Sequence, residues 1–335
     1  MTTHHRPGRQ WDSYWAYGRL TSLPHEFSGN YTGPVAEYWT KQFAGLENGA
    51  RVLDLCAGNG AVALLAIEWA RQQDLTIEVH AVDASRIDPA AAARAFPGQQ
   101  DLLSAIHFHP GQPVENLDFQ SASFDLLTSQ YGIEYCEWPK AAAEVVRVLR
   151  PGGHFVMLCH STSSDIFPHM RLVEQQYQIL DSLEFLPSIK AFLQRKLGFQ
   201  TFRRLLRRTR QEVMQLQASQ GSAFLASVRG MLDETVGQDK AGLRRDKQRL
   251  KQFYLELTGA RARQADMLKV HQRLSTQADW YTIFCDMGLK LEQQGSIAYP
   301  ARSGRRTNHA GDFYRFSRPL DQDGSGPEIP ESAGL

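Results

Sequence analysis

The chain has 335 residues, 42% of them hydrophobic and 22% charged, with 37 Lys and Arg against 36 Asp and Glu for a net charge of +1. That length exceeds the usual ~100–200 residues of one domain, and the composition excludes a disordered, collagenous or fibrous chain. The longest apolar stretches, Ala61 to Ala70 with Glu68 inside and His154 to Cys159, fall well short of the ~20 residues that span a bilayer, so no transmembrane helix is expected. Met1 to Gln10 is polar and bears His and Arg with no apolar run of signal-peptide type behind it, which makes the cytoplasm the expected compartment. Cys56, Cys136, Cys159 and Cys285 are far apart and form no zinc-type spacing, so reduced thiols and no structural metal are expected. Whole-chain charge selects neither a nucleic-acid nor a membrane partner, but it is unevenly spread. Asp165 to Arg273 holds 20 basic and 11 acidic residues, about +9, which leaves about −8 elsewhere.

In chain order, residues 1–48 are dense in aromatics, among them Trp11, Tyr14, Trp15, Tyr17, Tyr31, Tyr38 and Trp39, and read as an N-terminal helical cap. Residues 49–160 alternate short Val/Ile/Leu runs with Ala-rich segments, the pattern of strand–helix units in a parallel sheet. Strands are predicted at Val52–Cys56, Ile77–Val82, Phe124–Ser129 and His154–Cys159, with a weaker one at Ala105–His109. Helices are predicted at Gly60–Gln72, Pro89–Ala95 and Pro139–Leu149. Residues 161–277 have helical spacing and read as an inserted helical cap. Within it Leu193, Leu197, Phe202, Leu205 and Leu206 suggest one amphipathic helix, with Arg203, Arg204, Arg207, Arg208 and Arg210 opposite. The sheet pattern returns over residues 278–320, with a helix around Trp280–Met287 and strands at Lys290–Ser296 and near Phe313–Phe316. Residues 321–335 are Gly/Ser/Pro/Glu-rich and read as a flexible tail.

The most informative stretch runs from Val52 to Gly60, VLDLCAGNG, a strand entering a glycine turn that opens a helix. Glycines let a backbone approach a ligand closely, and a helix N-terminus offers unpaired N–H groups. Gly58, Gly60 and Ala63 also satisfy the relaxed dinucleotide fingerprint, a weak signal alone. Asp54 inside the strand tips the balance, because a carboxylate there favours a cationic ligand such as S-adenosylmethionine over a pyrophosphate. Asp83, at the end of the second strand, can take both hydroxyls of a ribose.

These residues carry a resemblance to class I S-adenosylmethionine-dependent methyltransferases, strong over Gly49–His160 and weak over Asp279–Pro319. The resemblance implies an α/β, Rossmann-like, doubly wound, seven-stranded and mostly parallel sheet, here with a helical insertion. Asp54, Cys56, Ala57, Gly58, Asn59 and Gly60 are similar to the family's acidic glycine-rich motif, with Cys56 in place of its first glycine. Asp83, with Ala84 beside it, falls on the ribose-binding acid. His109–Val114 resembles the adenine-holding segment, with Gln112 where the family has Asp and Pro113 next to it. Ser123–Ser129 is similar to the fourth strand, whose end places Ser129 and Gln130 at the cofactor, and Val148–Gly153 to the turn before the fifth.

The resemblance implies S-adenosylmethionine as cofactor and methyl transfer by in-line displacement. The loop Ser129–Tyr135 lacks the Asn-Pro-Pro-Tyr type sequence of the adenine-N6 and glutamine methylating branches. Tyr131, Glu134 and His160 are the titratable groups expected nearest the methyl. His107 and His109 alternate along the weak third strand, leaving at most one facing the cofactor. A small-molecule acceptor is expected, enclosed by the N-terminal aromatics, with Tyr17 and Tyr31 as contacts, and by the inserted helices, whose Arg203, Arg204 and Arg207 suit an anionic group. The rivals are a tRNA, RNA or protein methyltransferase using the basic insertion, a nicotinamide-dependent oxidoreductase, and a non-catalytic cofactor-binding module.

Overall fold

A computed structural model describes residues 9–23, 26–164, 166–300 and 307–320. The chain divides into two compact units, Met1–Ser164 with Val270–Leu335, and Asp165–Lys269. The tail at Asp321–Leu335 lies outside the described residues.

The first unit runs α1 (Arg9–Trp15), α2 (Pro34–Phe43), β1 (Arg51–Leu55), α3 (Ala61–Gln72), β2 (Glu78–Asp83), α4 (Pro89–Ala95), α5 (Gln100–Leu103), β3 (Ile106–Pro110), β4 (Phe124–Gln130), α6 (Trp138–Val148) and β5 (Leu149–Cys159). After the second unit it resumes with a 3-10 turn at Trp280–Thr282, a short helix at Ile283–Asp286, β6 (Lys290–Pro300) and β7 (Thr307–Ser317). The seven strands form one sheet in the order β3-β2-β1-β4-β5-β7-β6. β1 to β5 pair in parallel, and β7 pairs antiparallel with both β5 and β6. This is the Rossmann-like, mostly parallel sheet expected from the motifs.

Both faces of the sheet are covered, which is why its central strands are apolar throughout. Along β1, Val52 faces a core with Trp39, Phe43 and Trp69 of α2 and α3, while Leu53 and Leu55 face Trp138, Val145 and Phe284. Chain order jumps from β1 outward to β2 and β3, then back across to β4. The strand ends on either side of that switch, β1 and β4, therefore open a crevice at the carboxyl edge of the sheet.

Expected boundaries of three strands move outward, β6 running to Pro300 rather than Ser296. β5 begins at Leu149, which pairs with Phe124 before a register shift that takes up Arg150–Gly153. β7 is longer than Phe313–Phe316 because the β6 ladder holds its polar residues Asn308 and His309 and both ladders hold Asp312, none of which carries an apolar signal.

The second unit is all helical: α7 (Ile166–Ser182), α8 (Phe185–Leu193), α9 (Phe199–Ser219), α10 (Ala223–Val236), α11 (Lys240–Arg245) and α12 (Lys247–Thr276), the last of which ends in the first unit. Its own core gathers Tyr177, Phe185, Phe202, Leu206, Val228 and Phe253. Arg261 bridges Glu174 and Asp181 at 2.8 and 2.7 Å. The single amphipathic helix expected through Leu193 and Leu206 is corrected to two. Arg195 takes a left-handed φ of 62°, and the Lys196 N–H bonds the Ala191 carbonyl at 2.8 Å, so α8 closes in a helix-ending turn before α9 begins. No helix among the described residues is long and apolar enough to cross a membrane.

Candidate active site

The turn after β1 is built from positive φ angles: 56° at Cys56, 54° at Gly58 and 87° at Gly60. Glycine adopts them without cost, whereas a residue with a Cβ pays roughly 1 kcal/mol or more. Cys56 accepts that cost at the position where the resemblance has glycine, and the loop after β4 is shaped around it. A Cβ on Gly132 would stand 2.1 Å from the Cys56 Cβ, so residue 132 must be glycine once residue 56 is not. The two thiols Cys56 and Cys136 lie 3.8 Å apart across the same contact. Their hydrogen bond and burial push the Cys56 thiol well above its ordinary range.

The missing Cβ atoms of the turn are filled by the protein itself. One on Gly58 would meet the Trp15 ring at 2.4 Å, and one on Gly60 the Phe108 ring at 2.8 Å. Asn59, fully buried, ties the N-terminal segment to the turn. Its amide donates to the carbonyls of Trp15 and Arg19 at 2.9 Å each, and its oxygen accepts from the Asp88 N–H at 2.9 Å. The aromatic-rich start of the chain is thus part of this site, through Trp15 and Asn59. Of the two tyrosines expected to meet a substrate, Tyr31 is buried with its hydroxyl 3.3 Å from Ser22, while Tyr17 is exposed beside the Arg19 guanidinium. Arg203, Arg204 and Arg207 lie on α9 in the helical unit.

The two carboxylates of the motif are tied to the scaffold. Asp54 accepts from the Thr128 hydroxyl at 2.9 Å and from the Ala63 N–H at 3.2 Å, locking β1, β4 and the first turn of α3 together. Burial pushes its carboxyl up to about 7, against the lowering effect of those two bonds. Asp83 accepts from the Gly58 N–H at 2.8 Å and the Ser85 N–H at 2.7 Å, and burial raises it too. The Gln112 N–H bonds the Asp83 carbonyl at 2.9 Å, which brings the loop after β3, with Pro113, to the end of β2. Ser129 is buried, donating to the Leu55 carbonyl at 3.0 Å and accepting from the Ile133 N–H at 3.2 Å. At the tip of β4 the Gln130 oxygen accepts from the Trp39 indole at 2.5 Å, while its buried Nε2 has no acceptor in bonding geometry among the described residues.

The three titratable candidates come together at the ends of β4 and β5. Glu134 is fully buried, and its Oε1 accepts both from the His160 backbone N–H at 2.9 Å and from the His160 Nδ1 at 2.7 Å. Its Oε2 is buried without an N–H or O–H partner among the described residues. The Tyr131 ring lies 4.8 Å from the His160 ring, but its hydroxyl is committed to the Ala310 carbonyl at 2.7 Å. Elsewhere the premise that His107 and His109 take opposite faces of β3 is corrected. His107 and His109 both stack on His80, at 4.9 and 5.2 Å, because residues two apart on a strand share a face. Phe108, between them, faces the glycine turn instead.

Residues 52–153 match the family model of a methyltransferase domain. A demethylmenaquinone methyltransferase of Leptospira interrogans is 31% identical over 108 residues, 32% of this chain and 41% of that protein. The ubiquinone/menaquinone biosynthesis C-methyltransferase UbiE of Geobacter sulfurreducens is 33% identical over 135 residues, 38% of this chain and 47% of that protein. The crystal structure of YcgJ from Bacillus subtilis is 28% identical with a TM-score of 0.31, over 37% of this chain and 50% of that one. The chain spans less than half the length of those two curated relatives.

Over residues 52–153 the chain is similar to class I S-adenosylmethionine-dependent methyltransferases. S-adenosylmethionine is the cofactor of that family, and the residues present fit it. The Asp83 carboxylate stands at a strand terminus beside the glycine turn, Gln112 is tied to the same edge by its backbone N–H, and Gln130 closes the tip of β4. Trp15 and Phe108 wall the turn.

Proposed function

We propose that this protein is a cytoplasmic S-adenosylmethionine-dependent methyltransferase acting on a small-molecule acceptor, with the Glu134–His160 pair taking the proton that the acceptor loses. When bound, the cofactor supplies an electrophilic methyl group, held by Asp83 at the ribose, Gln112 at the adenine and the Cys56–Gly60 turn. The chain's own part is to position the acceptor and to receive a proton.

The observation that carries the reading is the double hold of Glu134 Oε1 on His160. A buried carboxylate that takes the Nδ1–H fixes the ring's orientation and tautomer and leaves Nε2 as the proton-accepting nitrogen. The pair stands beside β4 and β5 at the carboxyl edge of the sheet, the same edge as the glycine turn. The carboxylate also stabilises the imidazolium once formed, without leaving its site. Tyr131 and Tyr135 flank the ring at 4.8 and 5.9 Å and support a flat, apolar or aromatic acceptor carrying an ionisable group. The cytoplasm is supported by four cysteines that are all free thiols.

The test is incubation of the full chain with methyl-labelled S-adenosylmethionine and a metabolite extract, resolved by size. Label in small molecules supports the reading. Label confined to RNA or protein overturns the substrate class, and binding of a nicotinamide nucleotide in preference to S-adenosylhomocysteine overturns the cofactor assignment.

A further inference from the structure

The helical unit holds a feature that methyl transfer does not use: a hollow of about 650 Å3 between the end of α8, α11 and the start of α12. Five cations line it, Lys190, Arg244, Arg245, Lys247 and Lys251, and no carboxylate does. None of the five has an ion-pair partner among the described residues, whereas four arginines elsewhere in the same unit do. Arg229 lies 3.4 Å from Asp233, which also pairs with Arg210, Arg249 pairs with Glu234, and Arg261 bridges Glu174 and Asp181. A merely solubilising surface intersperses the two signs. Five like charges around one concavity repel one another, and the repulsion is relieved when an anion enters.

The placement of the cations narrows this further. Lys190, Arg244 and Arg245 sit in the last turns of α8 and α11, where the helix dipole welcomes a positive charge. Lys247 opens the 30-residue α12, whose first turn contains no acid. There the dipole and the cation carry the same sign, so helix stability does not account for the residue, whereas anion capture does. Two guanidinium forks match tetrahedral oxyanions, and three ammonium groups add charge without fixed geometry. Tyr254 and the half-exposed Leu255 give the hollow an apolar side against which a carbon skeleton can rest.

We propose that this hollow is a binding site for a phosphorylated small molecule, recognised through a phosphate or diphosphate group. The site lies wholly within the helical unit and does not rest on the methyl-transfer reading.

Calorimetric titration of the full chain with sodium pyrophosphate at low ionic strength tests it. Wild type is expected to bind, and Arg244→Gln/Lys251→Gln to lose at least tenfold in affinity. Arg171→Gln/Arg208→Gln, which removes the same charge from exposed positions of α7 and α9, is expected to keep wild-type affinity. Far-UV circular dichroism, read on the same samples, reports that the helical unit of each variant is folded, and S-adenosylhomocysteine binding reports the same for the first unit. Should the first double variant fail to fold, Lys247→Gln alone carries the comparison. No pyrophosphate binding by wild type overturns the proposal, as does an equal loss in both double variants, which would mark a diffuse charge effect. Binding to phosphatidylglycerol vesicles without binding to pyrophosphate overturns the soluble ligand in favour of a membrane headgroup.

Discussion

The turn after β1 and the loop after β4 meet at the same edge of the sheet, yet they use their carboxylates in opposite ways. In the first, Asp54 and Asp83 place both oxygens on the protein's own N–H and O–H groups. Asp54 serves the turn alone, whereas Asp83 holds the turn and, with accepting capacity left on each oxygen, is also the acid proposed for the ribose. In the second, Glu134 concentrates two hydrogen bonds on Oε1 and leaves Oε2 without an N–H or O–H donor among the described residues. The Cys159 thiol also hydrogen-bonds this carboxylate, but a thiol is a weaker donor than an N–H or O–H, so Glu134 keeps more accepting capacity than Asp54 or Asp83. Scaffold and chemistry thus sit on neighbouring loops, joined where Cys56 packs on Gly132.

The largest expected effect separates the two. Glu134→Gln should lower turnover about 10²–10⁴-fold, the usual weight of a positioned proton acceptor, while S-adenosylhomocysteine affinity stays unchanged. Equal losses in both would return Glu134 to the scaffold. Next comes the contact between the loops. Gly132→Ala drives a Cβ to 2.1 Å from that of Cys56 and should destabilise by about 2–3 kcal/mol in urea unfolding. The double variant Gly132→Ala/Cys56→Gly should recover most of that, since glycine at 56 removes both the overlap and the left-handed strain. Without recovery the compensation argument fails.

Asp83→Asn should weaken S-adenosylmethionine binding by about 1.5–3 kcal/mol through loss of charge-assisted bonds to the ribose, with turnover at saturation less affected. An unchanged Kd would place the nucleoside elsewhere.

The smallest effect is a slope. Asp54 has its carboxyl raised from 3.8 to about 7 in the folded protein. Its contribution to stability is therefore full below about pH 4, where it is protonated in both states, and is lost as pH rises through 7. Measured against Asp54→Asn, the wild-type advantage should shrink between pH 4 and 7 by no more than about 1.4 kcal/mol per unit. Parallel urea titrations at both ends of that range would show that the carboxyl is not held protonated.

Much of this was readable in the chain. Sheet and cofactor class follow from an ordered set of local signals, because a strand, a glycine turn and a helix start are each set by residues close in sequence. Asp54, Asp83 and Gly60 could be placed that way. The third strand's two histidines share a face because the pleat repeats every two residues. The helix through Leu193 and Leu206 looked continuous because apolar spacing persists across the left-handed turn at Arg195.

By itself, then, the sequence determined the Rossmann-like core, its strand-end acids and the basic character of the insertion, since these depend on periodicity, spacing and composition. Only the tertiary structure decided which oxygens are spent and which are not. It joined Glu134 to His160 across 26 residues and Asn59 to Trp15 across 44, it made Gly132 answer for Cys56, and it gathered Lys190 with Lys251 around one hollow. Those pairings join distant positions in the chain. They are fixed by the register of parallel strands and by helix packing, which no local window encodes.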